Sequence, residues 1–206
     1  MITRRGCLKL FTLTGVAWIG SGHASYRQWI VYRSERLMIV AGRWEPGAFP
    51  LTQEISTDIN RAVPESRAEA SRAPRLKRIA RLILTRQIEL AVVSLDEARQ
   101  IAMGEGAVQS VGPVPLRVLV FLRDPYVLVC HADFDRDKAY LTVFGLFDEA
   151  GSALYHPQFA TLSTATRRAN ELRIPLHVGA REFFLNPERP PAPETGETIP
   201  PAVNRE

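Results

Sequence analysis

Outside the N-terminal segment, three histidines and one cysteine are the residues best suited to nucleophilic or metal chemistry, and their spacing argues against it. His131, His156 and His177 are too scattered for metal ligation, with no His-x-x-x-His and no cysteine pair. Cys130 lies in the apolar run Tyr126–His131 without a neighbouring base, the setting of an inert buried thiol. No Gly-x-Ser-x-Gly elbow occurs, and "MGEGAVQSVG" (103–112) has glycines without the spacing of a dinucleotide loop. Neither an enzyme nor a cofactor is expected. His177, in "RIPLHVGAREFF" (173–184), follows Pro175 and precedes Gly179. A histidine so placed is expected to bond neighbouring backbone rather than to do chemistry.

The elements that would position any site can be read from apolar spacing. Leu37–Ala41 is a short buried strand that ends at Gly42. Leu51, Ile55 and Ile59 recur every four residues, which predicts a helix over 51–62. Leu76, Ile79, Ala80 and Ile83 repeat the pattern within 74–86, with Arg75, Lys77, Arg78 and Arg81 forming a solvated basic face. Ile88–Val93 is a second buried strand. It runs into Ser94, a helix N-cap with Glu97 three residues on, and that helix should end at Gly104. Leu116–Leu122 and Tyr126–His131 are strands joined by the turn Arg123-Asp124-Pro125, and 137–173 is helical in pattern. Strands alternating with helices imply an α/β lobe with a mostly parallel sheet flanked by helices and with extra C-terminal helices.

The two ends read differently from the middle. Arg4-Arg5 precede a mildly apolar run over 10–20 and the small residues Gly22-His23-Ala24. This order resembles a twin-arginine export signal over 1–24, with Cys7 where a phenylalanine is usual. Its removal takes away Arg4, Arg5 and Lys9 and leaves 23 basic against 22 acidic residues. Nucleic acid is therefore not an expected partner. The address is periplasmic, or membrane-anchored if the signal stays uncleaved. Residues 187–206 carry prolines and charges with little to bury, as a disordered tail does. The domain is then 25–186.

Several stretches, in order, resemble TAXI-type solute receptors, the periplasmic binding subunits of one class of TRAP transporters. "QIELAVVSLDEARQIAMGEG" (87–106) is similar to the family's first-lobe strand and alanine-rich helix, with Glu89 opening the strand and Gly104 and Gly106 closing the helix. "VPLRVLVFL" (114–122) resembles the strand leaving that lobe. "DFDRDKAYLTVFGLFD" (133–148) resembles the C-terminal helix, including Tyr140, Thr142 and Phe147. "IPLHVGAREFF" resembles the family's closing segment, with Val178 replacing a proline.

The resemblance implies a receptor whose ligand is trapped between two lobes, yet the chain lacks residues for a second. Two crossover strands would be joined directly by 123–125, leaving a single periplasmic-binding-protein-like lobe. The family's glycine-rich ligand loop corresponds to Gly42-Arg43-Trp44-Glu-Pro-Gly47-Ala-Phe49, here with added bulk and charge. By this resemblance the ligand-binding candidates are Gly42, Arg43, Trp44, Gly47, Phe49 and Ser94, the last being a small polar group at a strand's carboxyl end. Trp44 and Phe49 could equally cover the sheet edge. The implied function is a periplasmic accessory or sensor for a small carboxylate or amino acid. The alternative is a protein-interaction or dimerisation module that has lost small-molecule binding, with a second copy or a membrane transporter as partner.

Overall fold

The computed structural model describes residues 36–147 and 160–187. The export signal expected over 1–24, the tail beyond 187 and His156 lie outside the described residues. Among the described residues five strands form one sheet: β1 (Met38–Gly42), β2 (Glu69–Ala73), β3 (Leu90–Ser94), β4 (Leu116–Phe121) and β5 (Tyr126–His131). Helices α1 (Ala48–Ala62), α2 (Leu76–Leu84), α3 (Leu95–Met103), α4 (Arg136–Phe147), α5 (Leu162–Leu172) and α6 (Val178–Leu185) cover it.

The strand order is β2-β1-β3-β5-β4. β1 pairs parallel with β2 and β3, whereas β5 pairs antiparallel with both β3 and β4. The expected mostly parallel sheet is thus corrected to a mixed one. The cause is local: Arg123-Asp124-Pro125 turns the chain straight back, and no helix intervenes to make a parallel return. Tyr126 N–H closes this turn on the Arg123 carbonyl at 2.9 Å.

Both faces of the sheet are buried, because alternate strand residues feed opposite apolar layers. Ile39, Ala41, Leu90, Val92, Leu128 and Cys130 meet α1, α4 and α6 on one face. Val40, Ala91, Val93, Val127 and Val129 meet α2, α3 and α5 on the other. In β4 the register shifts between Val118 and Val120. That bulge sends Val118 to one layer and Val120 to the other, although both positions are even. Cys130 is buried, and burial pushes its thiol far up, as an inert core cysteine requires.

Three elements differ from the sequence reading. β2 was not anticipated, since "EASRA" buries only Ala73. It is held by β1 and by Asn60, whose side chain accepts from Ala68 N–H at 2.6 Å and donates to its carbonyl at 2.8 Å. Pro74 does not enter the first turn of α2; it precedes the N-cap residue Arg75. Of the stretch 137–173, helix covers the residues up to Phe147, in a helix that starts at Arg136, and Leu162–Leu172, while 148–159 lies outside the described residues. No helix among the described residues is long and apolar enough to cross a membrane.

Candidate functional site

β1 and β3 deliver Gly42 and Ser94 to the same end of the sheet, and antiparallel pairing sets Tyr126, the first residue of β5, opposite Ser94. The loop after β1 folds over this end. Its Trp44 ring lies against Gly42 so closely that a Cβ on that glycine would stand 2.5 Å from Cζ2. Glycine at 42 therefore makes room for the indole.

Trp44 is pinned there. Its Nε1–H donates to Glu97 Oε1 at 2.6 Å. Glu97 Oε2 accepts the Ser94 backbone N–H at 3.0 Å, and Ser94 Oγ accepts the Glu97 N–H at 3.3 Å. The Ser94–Glu97 pair is thus a complete capping box, as its spacing suggested, and Glu97 is only 8% exposed. The Ser94 hydroxyl oxygen thus serves the start of α3.

Two of the remaining candidates, Gly47 and Phe49, are packed against neighbours. Gly47 is the N-cap residue of α1, where a Cβ would meet the Tyr126 hydroxyl at 3.0 Å. That hydroxyl donates to Glu45 Oε2 at 3.2 Å, and burial first, then the Glu45 charge, raises the phenol above its ordinary value of 10.0. Phe49 packs on the α1 layer and carries the Arg72 guanidinium 3.7 Å over its ring. Arg43 is exposed, with its backbone N–H bonded to the Ala73 carbonyl.

The structure therefore brings Gly42, Trp44, Gly47 and Ser94 into one cluster, with Arg43 and Phe49 in the same loop and first turn. Glu97, Tyr126 and Glu45 are the members that sequence reasoning did not include. Only the capping-box spacing signalled Glu97, and it signalled a helix start. The Glu97 carboxylate accepts both the Trp44 indole N–H and the Ser94 backbone N–H, and Glu45 places a second carboxylate on Tyr126.

The histidines do not join it. His177 is the N-cap of α6, its Nδ1 accepting from Gly179 N–H at 3.2 Å. Its Nε2 lies 2.9 Å from the Phe134 carbonyl and, facing a pure acceptor, carries the proton. His131 Nδ1 accepts from the Asp133 N–H, and burial lowers its pKa. Among the described residues no group of three or more His, Cys, Asp or Glu side chains could hold a metal ion.

A cavity of about 240 Å³ lies at the opposite end of β1, between α1 and α4. Leu37, Ile59, Val63 and Leu141 line it, and Arg36, Glu65, Glu89 and Lys138 stand around it. No protein-family model and no curated protein matches the chain.

Proposed function

We propose that the chain is one lobe derived from a solute receptor, that it acts in the periplasm, and that it works as a protein-interaction module whose small-molecule site has been lost. The observation that carries this reading is the Glu97 carboxylate, which takes both the Trp44 indole N–H and the Ser94 backbone N–H. A free carboxylate would have to displace a charge that is already buried and bonded. The antiparallel pair β4–β5, joined by a three-residue turn, is what direct joining of two crossover strands would produce and supports the single-lobe origin.

The same end of the sheet offers anchors for a protein. Trp44 keeps 38% of its surface exposed, Arg43 precedes it in the same loop, and Arg72 on the neighbouring strand pairs with Ala41 and covers the Phe49 ring. Tryptophan and arginine are the residues that most often dominate binding energy at interfaces. The partner is a second copy or a membrane transporter subunit. One observation favours the receptor reading instead: no side chain caps the N-terminus of α2, which opens beside Arg72 and Arg75.

Light scattering on the full chain at micromolar concentration separates the two. The interaction reading expects a dimer that Trp44→Ala dissociates while the far-UV spectrum is kept. A monomer that small carboxylates stabilise against heat would establish the receptor reading in its place.

Removal of the internal carboxylate gives a second test. Glu97→Ala loses half of the capping box and the Trp44 pin, and is expected to cost about 2 kcal/mol. The vacated donors should then accept acetate or formate, so that either ion raises the variant's melting temperature and leaves the parent's unchanged. An equal response in both proteins would show that Glu97 does not fill an anion's place.

A further inference from the structure

We propose that the cavity between α1 and α4 is the dock of this chain's own segment Trp29–Tyr32, which lies outside the described residues. The cavity's polar groups ask nothing of an occupant. Thr142 Oγ1 donates to the Lys138 carbonyl at 2.7 Å, and Ser66 Oγ donates to Asn60 Oδ1 at 3.3 Å. No buried side-chain nitrogen or oxygen among the described residues lacks a partner. The occupant's body must therefore be apolar. At about 240 Å³ the space exceeds the ~150 Å³ that suffices for a benzene ring, and an indole suits it.

The charges at the mouth select what flanks that body. Arg36 is paired with Glu69 at 2.9 Å, and Lys138 with Glu89 at 3.2 Å. Among these four mouth residues Glu65 alone stands outside an ion pair. The last turn of α1, with its outward carbonyls, ends at Ala62 beside it. An apolar group flanked by a cation is the matching chemistry. The sequence immediately before Arg36 is Tyr-Arg-Gln-Trp-Ile-Val-Tyr-Arg-Ser-Glu (26–35), an apolar run of four between Arg27 and Arg33.

Its attachment point decides between this occupant and a free one. Arg36 is itself a wall of the cavity. Tyr32 is four residues upstream and Trp29 seven, spans of at most ~14 Å and ~25 Å for an extended chain. Tethering at that range gives an effective concentration that an untethered competitor would have to match.

The test uses the full chain labelled with 5-fluorotryptophan, whose ¹⁹F spectrum should show one line each for Trp18, Trp29 and Trp44, with Trp29→Phe giving the assignment. The expected result is a Trp29 line protected from acrylamide. Leu141→Arg and, separately, the exposed Glu65→Arg should make it several-fold more accessible, with no dependence on protein concentration. The Trp44 line, at the far end of the sheet, reports that each variant is folded. If Leu141→Arg moves that line too, Glu65→Arg alone is read. A Trp29 line at the solvent-exposed position in the parent, or a protected one left unmoved by the folded variants, overturns the proposal. So does protection that disappears on dilution, which would assign the cavity to a second copy.

Discussion

His177→Ala should destabilise the protein by about 3 kcal/mol, measured by urea unfolding, although no catalytic or binding role is assigned to the residue. The side chain is 2% exposed and serves two backbone groups that water does not reach. Loss of the Nδ1 cap on Gly179 N–H costs ~1 kcal/mol, as N-caps do. Leaving the Phe134 carbonyl without its Nε2–H donor costs a further ~1–3 kcal/mol. The ring's edge contact with Phe134, at 6.0 Å between centroids, is also lost. His177→Asn can still cap α6 but does not fill the ring's place, and should fall between the parent and the alanine variant. A loss below ~0.5 kcal/mol for His177→Ala, within the usual range of surface changes, would refute the structural role.

The same geometry sets a pH dependence. Burial, the largest cause, holds the His177 pKa below its ordinary 6.5, with the Phe134 bond opposing. The unfolded chain therefore takes up a proton before the folded one does. The stability is fully present above pH 6.5 and is lost as pH falls from there through the folded pKa. His131 is shifted in the same direction by burial and adds to the slope. Urea midpoints between pH 7.5 and 5 should fall with acidity, and the slope should lessen in His177→Asn. An unchanged slope in that variant would mean that His177 does not titrate in this range.

Gly179→Ala should cost as much or more. The position has no positive φ, so turn conformation is not the constraint. A Cβ there would collide with the Arg136 carbonyl and stand 2.9 Å from both the Ala139 Cβ and the Tyr140 nitrogen. These are atoms of the first turns of α4, which cannot rotate away as a side-chain tip can. Overpacking of this kind costs ~1–3 kcal/mol and sometimes more, and backbone atoms place it at the upper end. The aromatic group Tyr140, Phe147, Phe183 and Phe184, which locks α6 onto α4, should loosen with it. Near-UV circular dichroism would record that loosening, and a parent-like spectrum with unchanged stability would refute the close approach.

How far these features could be read in advance depended on whether their causes were local. β5 begins and ends where its apolar run does, and the β3–α3 junction follows from Ser94 and Glu97 alone. His177 announced its role through Pro175 and Gly179. β2 gave no such signal, because its strand character comes from β1 and Asn60 and not from its own side chains. The mixed sheet was half visible: the short turn at 123–125 implied that β4 and β5 run antiparallel, but nothing in the sequence placed β5 beside β3. At the candidate site the capping role of Ser94 was legible from Glu97 three residues on, whereas the partners of Trp44 and Tyr126 were not. Trp44 finds Glu97 from 53 positions away, and Tyr126 finds Glu45 from 81. Such pairings exist only once the sheet has formed.

The β4–β5 turn makes the lobe a ready host for a guest domain. Leu122 N–H bonds the Tyr126 carbonyl at 3.0 Å, so the two strand ends are already held together at the point where a splice would enter and leave. The stem is braced from both sides, by Arg123 on Glu54 of α1 at 2.6 Å and by the Leu95 N–H of α3 on the Pro125 carbonyl at 2.9 Å. A compact insert with neighbouring termini, placed at Asp124, would leave every strand register of the sheet in force. Growth of the molecule by one further lobe at this point would add to the fold without rewriting it.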